Sequence, residues 1–235
     1  MQRLVGPDEW QRCEELFTQP VPLSFRLNET RPSQTLETLR ATFQDRLQKL
    51  DWMEAYYVTP LLGAASAAQD VVSRLASAGE IVVQDALSML PVLALDVQPH
   101  QTVLDMCCAP GSKTLQILDA LHDGLLVAND LHGERAERAY ARAKATRRCK
   151  ALAVTAVDGL SLPPMDFHRV LLDVPCSSDG TVRKDPKRLR RWDVTSALCR
   201  GVSVLAIDTN GSQATCHTPI YTYILYILLH SDYIS

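Results

Sequence analysis

Several chemistries are struck out by what this chain lacks. It has seven cysteines, Cys13, Cys107, Cys108, Cys149, Cys176, Cys199 and Cys216, but no CxxC pair, so neither a disulfide framework nor a metal site is expected. No apolar run is long enough for a bilayer: the longest, 220–229, has ten residues that include three tyrosines and a threonine, and no membrane partner is expected. The paired glycines of a Walker loop and the three glycines of a dinucleotide fingerprint are both missing, which disfavours nucleoside triphosphate and NAD. Asp8, Glu9, Glu14 and Glu15 fit neither a secretory nor a mitochondrial presequence, and a nuclear or cytoplasmic protein is expected. The formal net charge of −3 argues against nonspecific nucleic-acid binding by the chain as a whole, so charge has to be read locally.

What is present suffices for one α/β domain with a smaller unit beside it: 235 residues, 46% of them hydrophobic. Residues 1–80 read as the small unit, with helical patterns over 8–17 and 35–47 around a strand at 23–27 whose apolar and polar residues alternate. The segment 84–95 reads as a largely buried helix in which Pro91 marks a kink or junction. From Thr102 the alternation is regular: strand 102–107, helix 113–121, an Asp123-Gly124 turn, strand 125–130, helix 133–146, strand 151–155 and strand 169–173. Such βα units imply a parallel sheet with right-handed crossovers. Helix 133–146 sets Ala136, Ala139, Tyr140 and Ala143 on one face, while Arg135, Arg138 and Arg142, with Arg147 and Arg148 just after it, lie elsewhere, so its outer surface is expected to be positive. This second unit is expected to run over 81–211, and the low-complexity tail 212–235 is expected to lie outside the fold.

Function is expected at the carboxyl edge of the sheet, where open α/β folds bind ligands. The strand 103–105 stops at Cys107-Cys108-Ala109-Pro110-Gly111-Ser112-Lys113, a tight turn into a helix whose backbone N–H groups suit an anion. Asp130, at the next strand end, is placed to accept from ribose hydroxyls. Asp158 could meet an adenine edge, or serve only as a turn residue. A nucleoside with a small charged tail at one turn describes S-adenosylmethionine. Asp105, Asp130 and Asp173 at successive strand ends read together as a site. Cys176, presented by Pro175 at a strand end, can add to an electron-poor carbon as its thiolate. The run Arg183-Lys184-Asp185-Pro186-Lys187-Arg188-Leu189-Arg190-Arg191-Trp192 has six basic residues and a terminal aromatic, suited to phosphate contacts and a stacked base.

Both motifs resemble the Sun-domain (RsmB/Nop-type) family of RNA cytosine-C5 methyltransferases, its tRNA-modifying branch most closely. The segments that carry the resemblance are 105–114 and 173–184, with Asn129-Asp130, Leu87-Ser88-Met89-Leu90-Pro91 and 23–28 in support. The resemblance implies an α/β, Rossmann-like S-adenosylmethionine-dependent methyltransferase sheet preceded by an RNA-binding-like unit. It implies that Cys107, Cys108, Ala109, Pro110, Gly111, Ser112, Lys113, Asp130, Asp158 and Asp173 bind S-adenosylmethionine. It further implies that Asp173 faces the target cytosine, and that RNA, tRNA in particular, is the partner. Arg183, Lys184, Lys187, Arg188, Arg190 and Arg191 would hold that RNA, and Cys176 and Asp173 would carry the chemistry. In such chemistry a thiolate adds to C6, C5 takes the methyl group, and loss of the C5 proton expels the thiol; the base must leave its stack to be reached.

One departure bears on activity. The family's attacking cysteine lies in a Thr-Cys motif on the following strand, whereas Thr215-Cys216 here stands 40 residues after Cys176 with no comparable strand before it. Cys216 is read as coincidence, and the chain as a family member shortened within its catalytic unit, its sheet incomplete at the C-terminal side. The alternatives are a noncatalytic RNA- or cofactor-binding fragment and a methyltransferase acting on DNA or protein.

Overall fold

The computed structural model describes residues 6–19, 21–28, 32–59, 65–174, 184, 185, 187 and 205–208. Helix α1 (Pro7–Thr18) starts on Pro7, whose missing N–H costs nothing in a first turn. Strand β1 (Leu23–Leu27) follows, then α2 (Pro32–Phe43), a 3-10 turn over Gln44–Arg46, β2 (Leu47–Lys49), β3 (Ala55–Val58), α3 (Ala65–Ser77) and β4 (Ile81–Val83). The four strands form an antiparallel sheet in the order β2-β3-β1-β4. It closes over a core of Phe25, Leu39, Phe43, Val58, Leu75 and Ile81.

The sequence reading ran the second helix on to residue 47 and saw one strand where there are four. Leu47 is instead the first residue of β2, and β2 and β4 have three residues each, too short for alternation to register. Pro91 does mark a junction: a 3-10 turn (Leu87–Met89) meets α4 (Leu90–Leu95) there. The expectation that 84–95 is largely buried is corrected. Met89, Val92 and Leu95 are buried, but Leu87, Leu90 and Leu93 are exposed at 74%, 44% and 41%, because only one face of a helical turn can meet the core.

The second sheet follows the expected alternation: β5 (Thr102–Asp105), α5 (Ser112–Ala120), β6 (Leu125–Asn129), α6 (Gly133–Ala145), β7 (Leu152–Thr155), β8 (Arg169–Leu172) and β9 (Leu205–Asp208), in the order β7-β6-β5-β8-β9. The first four pair in parallel. β9 runs antiparallel to β8, with Arg169 opposite Asp208, so the edge of β8 is covered where an unmade neighbour was expected. An antiparallel strand on the rim of an otherwise parallel sheet needs no crossover helix. Burial tracks position: every residue of β8 is buried, and of β6 only Leu125 is not.

The two sheets are joined by a buried polar network. Arg26 of β1 donates from Nε to Gln84 Oε1 (3.0 Å) and from Nη2 to the Ser112 carbonyl (3.3 Å), and pairs with Asp119 of α5. Gln84 Nε2 donates to Gln116 Oε1 (2.8 Å), and Gln116 Nε2 to the Met89 carbonyl (3.0 Å). Arg148 also pairs with Asp119, and its Nη2 donates to Asn28 Oδ1 (2.9 Å).

Candidate functional site

The turn after β5 is shaped by Gly111. Its φ of +98° lies in the left-handed region, and a Cβ there would sit 2.9 Å from Ala139 Cα, so glycine is required both for the turn and for the close approach of α6. The sequence reading left the turn's N–H groups free for an anion. Three are in fact used internally: the Cys107 N–H faces the Asp105 carboxyl, the Cys108 N–H donates to Asn129 O (2.8 Å) and the Gly111 N–H to Cys108 O (2.7 Å). The first turn of α5, Ser112 to Thr114, offers further donors for an anion. From α6, Arg142 Nη1 donates to Pro110 O (3.0 Å) and Ser112 Oγ (2.9 Å), clamping the turn from outside. Arg142 is thus a structural tie, not part of a solvated positive face, and Arg135 leans on Asp130 at 3.4 Å. The outer face of α6 is less positive than its arginine count suggests.

Asp105 ends β5 with its side chain buried. Thr114 Oγ1 donates to its Oδ2 (2.7 Å), while Oδ1 has no hydrogen bond of good geometry. Burial pushes its pKa up to about 7, against the Thr114 hydroxyl, which favours the anion; the nearby Asp173 charge raises it further, and Lys113 and the Cys107 N–H oppose. Asp173, just beyond β8, accepts from Lys113 Nζ at 2.5 Å. Asp105, Lys113 and Asp173 form one wall of a cavity of about 260 Å³ whose other wall is Gln84, Asp85 and Lys184. Lys184 Nζ bonds Asp85 Oδ2 at 2.7 Å. Burial alone would raise the Asp85 pKa, but the Lys184 ammonium and the Leu87 and Ser88 N–H groups hold it below the usual value.

Not every expected residue reaches this cavity. Cys107, Cys108, Ala109, Pro110, Ser112, Lys113 and Asp173 line it, and Gly111 shapes the turn between them. Asp130 is buried at the end of β6, where Oδ1 accepts from the His132 N–H (3.1 Å) and so sets up the entry to α6. Asp158 is exposed and accepts from the Leu160 N–H (3.0 Å), the turn-residue role held open for it. Lys187 is exposed. Cys176, Arg183, Arg188, Arg190, Arg191, Cys216 and the 212–235 tail lie outside the described residues. Burial and then the Asp105 charge push the Cys107 thiol up to about 11 and the Cys108 thiol up to about 12, so both stay protonated and neither is a nucleophile at neutral pH. Among the described residues no cluster of metal-ligating side chains occurs.

Sequence reasoning placed Asp105 at a strand end without giving it a ligand, and passed over Gln84 and Asn129. Asn129 donates to Met106 O and Val157 O and accepts from the Thr155 hydroxyl and the Val157 N–H, tying β5, β6 and β7 together at their carboxyl ends. Only the Asn129-Asp130 pair at a strand end signalled it.

A parallel β7-β6-β5-β8 core, with a glycine turn after β5 and acids at the strand ends, defines a Rossmann-like fold of the methyltransferase kind. A methyltransferase homolog from Pyrococcus horikoshii shares it, with a TM-score of 0.58 and 24% identity over 77% of this chain and 59% of that one. Residues 92–202 match the family described as 16S rRNA methyltransferase RsmB/F. Two curated relatives are a multisite-specific tRNA:(cytosine-C(5))-methyltransferase of Saccharomyces cerevisiae, 37% identical over 51% of this chain and 20% of its own length, and a tRNA (cytosine(49)-C(5))-methyltransferase of Pyrococcus abyssi, 42% identical over 50% of this chain and 39% of its own length. The chain therefore spans well under half of either relative.

Proposed function

We propose that this chain serves S-adenosylmethionine-dependent transfer of a methyl group to C5 of cytosine in RNA, tRNA in particular. One observation carries the reading. Asp105, Lys113 and Asp173 converge on a single cavity at the carboxyl ends of adjacent strands, within a segment that matches an RNA methyltransferase family.

The residues fit the cofactor. The first turn of α5 offers N–H donors for a carboxylate, and the orphaned Asp105 Oδ1 is an acceptor for an ammonium group. Asp130 would take the ribose, and exposed Leu131, Val157 and Leu160 stand next to Asp130 and Asp158 in the chain as apolar surface for a purine. S-adenosylmethionine would supply the methyl group as an electrophile. Asp173, held by Lys113, would face the cytosine and share a proton with N3, and Cys176 three residues on would be the thiol. The protonated Cys107 and Cys108 would act only through packing.

The test is calorimetric titration of S-adenosylmethionine, followed by transfer of labelled methyl to unmodified tRNA. Micromolar cofactor affinity, of the order usual for such sites, is expected, with methylation lost in Asp173→Ala. Affinity without transfer selects the noncatalytic reading; transfer to DNA or protein in place of RNA moves the substrate; no affinity overturns the proposal.

A further inference from the structure

The tip of the β2–β3 hairpin borders a second cleft. The hairpin is closed by the Leu50 N–H donating to Ala55 O (2.8 Å) and the Ala55 N–H to Met53 O (2.7 Å). Met53 Sδ lies 4.0 Å from Gln116 Nε2 of α5, so the tip rests on the second unit and does not project into water. Next to it Trp52 is 45% exposed, a large ring left against solvent on an otherwise anchored loop. Trp52, Tyr57 and Leu87 line a cavity of about 970 Å³. It shares Asp85, Ser88 and Lys184 with the smaller cavity at Asp105, so the two adjoin.

The basic groups around Trp52 are already matched, and Asp51 adds a negative charge to the lining. Lys49 pairs with Glu54, Lys184 with Asp85, and the Tyr57 hydroxyl donates to Gln48. A lining of aromatic and aliphatic surface with internally paired basic groups is poorly suited to a phosphate. It suits a flat group with apolar faces and a polar edge, which is a nucleobase, and its volume is ample for one.

We propose that this cleft holds an unpaired base of the RNA strand, adjacent to the cytosine that enters the smaller cavity, stacked on Trp52. The inference rests on the RNA methyltransferase reading and names how the substrate is gripped. A cytosine drawn out of its stack leaves its neighbour without a stacking partner. An exposed indole one cavity away supplies the replacement, and does so without regard to sequence because every base has a π-face.

The experiment is equilibrium titration of a fluorescent single-stranded RNA oligonucleotide carrying a central cytosine, at several salt concentrations, for the full chain and for Trp52→Ala and Trp52→Phe. S-adenosylmethionine is titrated in parallel, and thermal melts check that all three are folded. Trp52→Ala is expected to weaken RNA binding about tenfold and Trp52→Phe no more than about threefold, since stacking on one ring is at stake. The salt slope is expected to stay unchanged because no phosphate contact is lost, and cofactor affinity likewise. RNA affinity of Trp52→Ala equal to that of the parent overturns the stacking role while leaving the methyltransferase reading intact. A flattened salt slope in Trp52→Ala also overturns it, by assigning the cleft to phosphate. A parent that binds cofactor but no RNA overturns both.

Discussion

Arg26 and Asp105 are both buried charged groups on the two sheets, and the fold treats them in opposite ways. Arg26 has a carboxylate, an amide oxygen and a main-chain carbonyl as partners, so each of its guanidinium nitrogens is engaged. Asp105 has one hydroxyl and an oxygen left without a good hydrogen bond, at the wall of a cavity. A buried ion is expensive unless its hydrogen bonds are made. At the seam between sheets the three nitrogens of Arg26 are all partnered; at the cavity wall one oxygen of Asp105 is left open.

The largest effect expected from breaking this contrast is at the seam. Arg26→Met removes three contacts at once and leaves Gln84 Oε1 without its Arg26 donor, although Asp119 keeps Arg148. A loss of about 3 kcal/mol is expected from such a change, read by urea denaturation; less than about 1 kcal/mol would show the network to be dispensable.

The next effect has the opposite sign. Because the Asp105 pKa is raised from 3.8 to about 7 in the fold, the native state keeps a proton that the unfolded chain releases. Its contribution is most favourable below pH 3.8, declines as pH rises toward 7, and levels off above. Asp105→Asn is therefore expected to stabilise the empty protein at pH 8, by roughly 2 kcal/mol given that the amide is itself imperfectly partnered. It is also expected to lower cofactor affinity, the exchange typical of sites kept open for a ligand. The difference in stability between variant and parent should shrink from pH 8 to pH 5; a difference independent of pH would refute the buried-acid account.

The contrast between the two groups was only half legible in the sequence. The βα alternation from Thr102, the glycine turn and the strand-end acids all follow from patterns within a dozen neighbouring residues, and they were found where expected. The seam was not legible, because Arg26, Gln84, Gln116 and Asp119 meet across 32 to 93 residues of chain and no local period records that meeting. The short strands β2, β3 and β4 were missed for a related reason: each is held by its neighbours' ladders and not by its own pattern. Arg142 misled in the other direction, since helical periodicity says which way a side chain starts but not that a long one bends back to a loop 30 residues away.

Asp130 sharpens the comparison from an intermediate position, being buried like Asp105 but with both carboxylate oxygens engaged, by the His132 N–H and by Arg135. If it also receives the ribose, Asp130→Ala should weaken S-adenosylmethionine at least tenfold, about 1.4 kcal/mol. Unchanged affinity in calorimetry would restrict Asp130 to starting α6.

The smallest expected difference, about 1 kcal/mol between two pH values, tests the one side-chain hydrogen bond of Asp105. Thr114→Val keeps the shape of the side chain but removes the hydroxyl that donates to Oδ2. A bond to a charged carboxylate is worth more than one to a neutral carboxyl, roughly 2 against roughly 1 kcal/mol. At pH 8, where Asp105 is ionised in the fold, the variant should lose about 2 kcal/mol, and at pH 5, where the carboxyl is protonated, about 1 kcal/mol. Its cost thus grows with pH, the reverse of the fading benefit of acidity in the parent, because the hydroxyl lowers the pKa that burial raises. Denaturation midpoints at the two pH values decide it. Equal losses at pH 5 and pH 8 would mean that Asp105 does not change charge between them, and that the open oxygen belongs to a carboxyl whose ionisation burial does not govern.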